Sequence, residues 1–72
     1  MLDKTFRKGR IAVNVWKNDV IKDDKKAVGY SISLSRAYKK DDKWEYSTSF
    51  YKEDIPVITS LLAEADKYIN GW

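Results

Sequence analysis

Three segments of this chain alternate apolar and polar residues with a period of two, and the segment after them switches to a period near three and a half. In residues 10–18, Ile11, Val13 and Val15 alternate with Arg10, Ala12, Asn14 and Trp16. Residues 27–39 set Val28, Tyr30, Ile32 and Leu34 against Gly29, Ser31, Ser33 and Ser35. Residues 43–51 place Trp44, Tyr46, Thr48 and Phe50 opposite Lys43, Glu45, Ser47, Ser49 and Tyr51. Because side chains alternate across a strand, each pattern reads as a strand with one face on a core.

From Ile55 onward, Ile55, Ile58, Leu61, Leu62, Ala65, Tyr68 and Ile69 recur at helical spacing, a stripe that Trp72 would extend. Asp54 is the expected N-cap, Pro56 suits the first turn, and Asn70-Gly71 is the expected stop. Residues 5–8 read as a further short strand that Gly9 bends into the next. The expected fold is α+β in a single domain, residues 1–72. Its antiparallel sheet of three to four strands spans residues 5–51, and one C-terminal helix spans residues 54–69, in the order β(β)ββα. Residues 18–26 read as a polar, mobile loop, because Lys22 to Lys26 are five consecutive charged residues. Lys40-Asp41-Asp42 reads as a short hairpin connection. On parity, Trp44, Tyr46 and Phe50 are expected in the core against the helix, and Tyr30 with them.

A chain of 72 residues buries only about 60% of the surface its unfolded form exposes, so a partner chain is expected, and a homodimer with helices in its interface is the simplest solution. With no Cys, disulfides are excluded, and with no His either, so is a Cys/His zinc site. No apolar run is long enough for a signal peptide or a membrane span. A soluble, intracellular, cytoplasmic protein is expected, with association with the nucleoid compatible.

Missing His and Cys also remove the commonest general base and the strongest neutral-pH nucleophile. The acidic pairs Asp23-Asp24, Asp41-Asp42 and Glu53-Asp54 sit in turns or at the helix start and read as solvated turn residues. Gly9, Gly29 and Gly71 are too scattered for a phosphate loop. No enzymatic activity, metal or cofactor is expected.

Charge is distributed unevenly. Residues 1–51 hold 12 Lys/Arg and 7 Asp/Glu, whereas residues 52–72 hold 2 and 4, so a basic sheet half (+5) adjoins an acidic helix half (−2). That asymmetry orients a polyanion toward the strands, although lysine-rich loops also serve solubility alone. Arg7, Lys8 and Arg10 surround Gly9, while Arg36, Lys39 and Lys40 end the second long strand; antiparallel pairing brings the two clusters to one end of the sheet. Asn14, Trp16, Ser31 and Ser33 then share the polar face, and Tyr38 and Tyr51 sit at strand ends. Cations for phosphates, rings for bases and small polar residues between them make a platform for single-stranded nucleic acid. Trp16 has two readings, as a stacking ring or as a ring covered by a partner chain or the N-terminal segment. Arg36 shares parity with Leu34 and reads equally as the snorkelling end of the buried face.

Phe6-Arg7-Lys8-Gly9-Arg10-Ile11, followed by Val13-Asn14-Val15-Trp16 and Gly29-Tyr30-Ser31-Ile32-Ser33-Leu34, resembles the transcriptional positive cofactor four family of single-stranded DNA-binding proteins. The resemblance implies strands followed by one helix, dimerisation through helices, and a basic, aromatic-bearing sheet surface that holds melted or single-stranded DNA. It would make Arg7, Lys8 and Arg10 backbone-contacting cations, Trp16 a stacking ring, and Ser31 and Ser33 part of the sheet floor. It departs from the family in that residues 36–51 insert a hairpin before the helix.

Two functions follow. The first is largely sequence-independent binding of single-stranded nucleic acid, DNA in preference to RNA, through Arg7, Lys8, Arg10, Asn14, Trp16, Ser31, Ser33, Arg36, Tyr38 and Lys39, in replication, recombination or transcription. The alternative is a small protein-interaction module, inhibitor or regulator using the same face.

Overall fold

The computed structural model describes residues 1–71; the expectation that Trp72 extends the helix stripe lies outside the described residues. Four strands, β1 (Leu2–Lys8), β2 (Ile11–Lys22), β3 (Lys25–Lys40) and β4 (Lys43–Ser47), form one antiparallel sheet in the order β1-β2-β3-β4. A single 3₁₀ turn (Lys52–Asp54) leads into α1 (Ile55–Asn70). The α+β sheet-then-helix architecture is therefore as the periodicities predict.

The strands are longer than expected. β1 begins at Leu2 rather than Thr5, and reciprocal bonds between Met1 and Lys17 (2.9 and 3.0 Å) tie its start to β2. The expected mobile loop over residues 18–26 does not exist: β2 and β3 stay paired out to Lys22 and Lys25 around a two-residue turn, Asp23-Asp24. Both turn residues have positive φ, 52° and 59°, as do Asp41 and Asp42 (50° and 63°) in the β3–β4 turn. A two-residue turn of this twist needs φ > 0 at both positions, and Asp tolerates that region better than most side chains. The charge run continues as strand because the ladder requires only backbone groups, leaving lysines on either face in water. In the β1–β2 turn, by contrast, Gly9 (φ 61°) alone takes positive φ.

One face of the sheet carries the helix. Ile11, Val13 and Val15 of β2 are buried with Leu61 and Ala65 of α1, and Phe6, Leu34, Phe50, Val57, Ile58, Leu62 and Ile69 pack around them. Ala65 supplies the short side chain that allows helix and sheet to approach. Pro56 stands in the first turn as expected, but Asp54 does not cap α1 with its side chain; its carboxylate instead accepts the Tyr51 N–H at 2.9 Å, closing the 3₁₀ turn. At the other end Gly71 takes the left-handed conformation (φ 78°) and donates to the Lys67 carbonyl at 2.8 Å. Ile55, assigned to the apolar stripe, is exposed.

The helix covers β1 and the first half of β2, so the rest of the β2–β3 hairpin projects beyond it, and the molecule with its hairpin measures 49 × 28 × 16 Å. Tyr30 and Ile32, on the core-facing parity of β3, are accordingly 44% and 47% exposed, which corrects the assignment of Tyr30 to the core. The projecting hairpin is closely built. Val20 lies over Gly29, where an added Cβ would stand 2.9 Å from Val20 Cγ2, so any larger residue at this strand position requires the Val20 side chain to shift.

A candidate nucleic-acid interface

Strand register sorts the side chains onto the two faces. Val13 pairs with Phe6 and Leu34, so their parity is the helix side. Across the opposite, open face the rows are Trp16–Ser31, Thr5–Asn14–Ser33, Arg7–Ala12–Ser35, Ala37–Tyr46 and Lys39–Trp44, and the carbonyl of Arg10 in the turn accepts the Ala37 N–H (2.8 Å). Lys22 and Lys25 share this face at the hairpin tip.

The three acidic residues within the strands all lie on the helix side. Glu45 pairs with Tyr38, Asp19 with Val28, and Asp3 accepts the Tyr68 O–H of α1 at 2.8 Å. Among the strand residues, the open face therefore has cations and no anions. That partition is sharper than the difference in charge between the halves of the chain.

Open-face details suit a stacking surface. Trp16 is 38% exposed, and its indole N–H donates to Ser33 Oγ at 3.0 Å, which fixes the ring and satisfies its one polar group. Thr5 Oγ1 donates to Asn14 Oδ1 at 2.9 Å, and Asn18 Nδ2 lies 3.5 Å from Ser31 Oγ. Trp44 and Tyr46, expected in the core, are 58% and 65% exposed on this same face. The reason is register: the Asp41-Asp42 turn pairs Lys40 with Lys43, which sets Trp44 beside Lys39 and Tyr46 beside Ala37. β4 then ends at Ser47, whose Oγ accepts the Ser49 N–H at 3.0 Å, so residues 48–51 are not strand and Phe50 reaches the core independently of that parity. Counting parity through the two-residue turn would have found both rings from sequence.

Arg7, Arg10, Asn14, Trp16, Ser31, Ser33 and Lys39 thus share the open face, whereas Lys8, Arg36 and Tyr38 do not. Lys8 pairs with Ile11, and Arg36 and Tyr38 continue the parity of Leu34, beyond the reach of the helix. The Arg36 guanidinium lies 4.7 Å from the Tyr51 ring centre and 5.5 Å from that of Tyr38, and its Nε donates to the Ser49 carbonyl at 2.9 Å. Arg36 is engaged in fastening the 47–51 segment to β3, the snorkelling reading of this residue. Tyr38 donates to Glu45 at 2.9 Å, and that bond raises its phenol above the ordinary tyrosine range.

Two hollows adjoin this end of the sheet. One, of about 540 Å³, is lined by Arg10, Arg36, Tyr38, Lys39, Ser47 and Tyr51. The other, of about 360 Å³, opens on the open face between Arg7, Gly9, Arg10, Ala37, Trp44 and Tyr46. The convergence of basic clusters expected from sequence is real, since Ile11 pairs with Arg36 and Arg10 joins Ala37, but it spreads over both faces. Among the described residues no group of His, Cys, Asp or Glu is arranged to hold a metal ion, and no helix is long and apolar enough to cross a membrane. No family model matches the chain, and no curated protein or solved structure is significantly similar to it.

Proposed function

We propose that the open face binds single-stranded nucleic acid, DNA in preference to RNA, with little regard to sequence and without catalysis. The observation that carries this reading is the acid-free face on which Arg7, Arg10 and Lys39 lie among the exposed rings of Trp16, Trp44 and Tyr46. Cations neutralise phosphates at any sequence, and every base has a flat face to stack, so this combination favours single strands whose bases are free. An exposed sheet face carrying rings suits splayed bases better than a duplex, whose bases are already stacked on one another. The resemblance to the positive cofactor four family agrees with this role, and the process served would be cytoplasmic replication, recombination or transcription.

The protein acts as a homodimer in this proposal. Val28, Tyr30 and Ile32 form an exposed apolar strip on the helix side of the projecting hairpin, and a second copy covering it would leave both open faces free.

Fluorescence anisotropy with oligo-dT, duplex DNA and single-stranded RNA tests the binding. We expect oligo-dT to bind tightest and log Kobs to fall with log salt at a slope of about −0.7 per phosphate neutralised, hence about −2 for Arg7, Arg10 and Lys39 together. No binding to any single strand at low salt overturns the proposal and brings forward a protein-interaction module. Sedimentation showing only an 8.4 kDa species well above micromolar concentration would remove the dimer.

A further inference from the structure

We propose that the hollow between Arg7, Arg10, Trp44 and Tyr46 is a nucleobase subsite, and that with Trp16 it makes the open face a two-ended site which a strand must span to bind tightly. This rests on the reading of the open face as a single-strand platform and adds where the strand is held and how long it must be.

Trp44 and Tyr46 stand two residues apart on β4, so their rings project from the same face, and both are mostly exposed. Beside them Ala37 leaves a shallow floor, and the Gly9-Arg10 turn forms the far wall, giving about 360 Å³, near the lower end of the range of about 300–1,000 Å³ for small-ligand pockets. Arg7 and Arg10 line the same hollow, so a base seated on the rings brings its phosphate to a guanidinium. The other end is differently made. Trp16 is pinned through Ser33, which presents a fixed ring rather than a hollow.

Between the ends lie the rows Thr5–Asn14–Ser33 and Arg7–Ala12–Ser35, in which Arg7 is the one long side chain and none is acidic. The rows of Trp16 and Tyr46 meet β3 at Ser31 and Ala37, six residues apart, or about 20 Å along the strand. A short oligonucleotide therefore occupies one end at a time. One long enough to bridge gains the second contact intramolecularly, and such coupling raises affinity by orders of magnitude.

The test is the dissociation constant of oligo-dT as a function of length, from about 2 to 12 nucleotides, which brackets the lower part of the range of about 4–16 occupied by small single-strand-binding folds. For the wild type we expect a step of at least about tenfold at the length that first covers about 20 Å. Trp16→Ala and Trp44→Ala should each abolish the step, weakening long oligonucleotides by about 5- to 150-fold, while short ones retain weak binding that varies smoothly with length. Tyr46→Ala probes the same end as Trp44, and circular dichroism checks that each variant folds. A step that survives both Trp44→Ala and Tyr46→Ala overturns the subsite. A step only at several times that length would mean bridging between two copies and overturns it equally. Failure of the wild type to bind at any length would instead count against the platform itself.

Discussion

The two faces of this sheet are built on opposite principles. On the helix side, Ile11, Val13 and Val15 are almost completely removed from water by Leu61 and Ala65, and two of the three strand carboxylates there accept tyrosine hydroxyls, Asp3 from Tyr68 and Glu45 from Tyr38. On the open side, three large rings remain exposed and the strand residues include cations but no carboxylate. Stability resides in the first face because burial of apolar surface is the dominant favourable contribution to folding. Surface residues of the second contribute little to stability, which leaves their identities free to be set by what they contact. A division this clean implies that changes on one face should be read in folding and changes on the other in binding.

The largest effect should come from breaking the buried face. Leu61 is 2% exposed at the centre of the core, and Leu61→Ala should cost about 2–5 kcal/mol in chemical denaturation. Trp44→Ala, on the open face, should shift the same transition by about 0.5 kcal/mol or less. Comparable losses for the two would erase the distinction between the faces.

The next test probes the hairpin that projects beyond the helix. Gly29→Ala sets a Cβ 2.9 Å from Val20 Cγ2, so the half-exposed Val20 side chain must shift off its rotamer, at a cost of about 0.5–1.5 kcal/mol. If close approach is the cause, Val20→Ala should relieve most of that cost in a double-mutant cycle. Additive losses would show that Gly29 is required for another reason.

A smaller effect sharpens the division at a single peptide bond. Arg7 and Lys8 are neighbours in sequence on opposite faces of β1, Arg7 paired with Ala12 and Lys8 with Ile11. Arg7→Ala should reduce the salt slope for oligo-dT by something under one unit, whereas Lys8→Ala should leave it close to the wild-type value. Equal changes would mean that the bound strand reaches around the sheet edge.

The smallest expected effect concerns pH. The bond from Tyr68 to the Asp3 carboxylate raises the phenol above the ordinary tyrosine value of about 10, so ionisation is harder in the folded chain than in the unfolded one. This contribution is fully present below the unfolded value and is lost as pH rises through the higher folded one. Alkaline denaturation should therefore weaken the wild type slightly more steeply than Tyr68→Phe above about pH 10. Parallel curves would mean that the bond adds no stability.

Much of the fold is legible in local pattern. The parities of β2 and β3, the helical stripe centred on Leu61 and Ala65, the bend at Gly9 and the stop at Gly71 all follow from spacing and from the conformations that glycine permits. The candidate site is only half legible. Arg7, Arg10, Asn14, Trp16, Ser31, Ser33 and Lys39 fall on one face as their parity requires, but Lys8, Arg36 and Tyr38 fall on the other, and Trp44 and Tyr46 exchange an expected core position for the open surface. Alternation within a strand says which residues share a face; it does not say which of the two faces meets the helix. For β2 the choice is evident, because one set is wholly aliphatic. For β4 both sets are mixed, and the choice passes to the Asp41-Asp42 turn and its pairing of Lys40 with Lys43.

By itself, then, the sequence determined the order of strands and helix, the aliphatic stripes that must be buried, the bend at Gly9, the stop at Gly71 and the short connection at Asp41-Asp42, but not the tight turn at Asp23-Asp24. These are local properties, set by side-chain period and backbone sterics over a few residues. Tertiary structure decided how far the helix reaches along the sheet, and so left Tyr30 and Ile32 uncovered while enclosing Val13 and Val15. It also decided that the carboxylates and the open-face rings lie on opposite sides, since a face exists only once registers between strands are set, and register depends on pairing partners that no single segment contains.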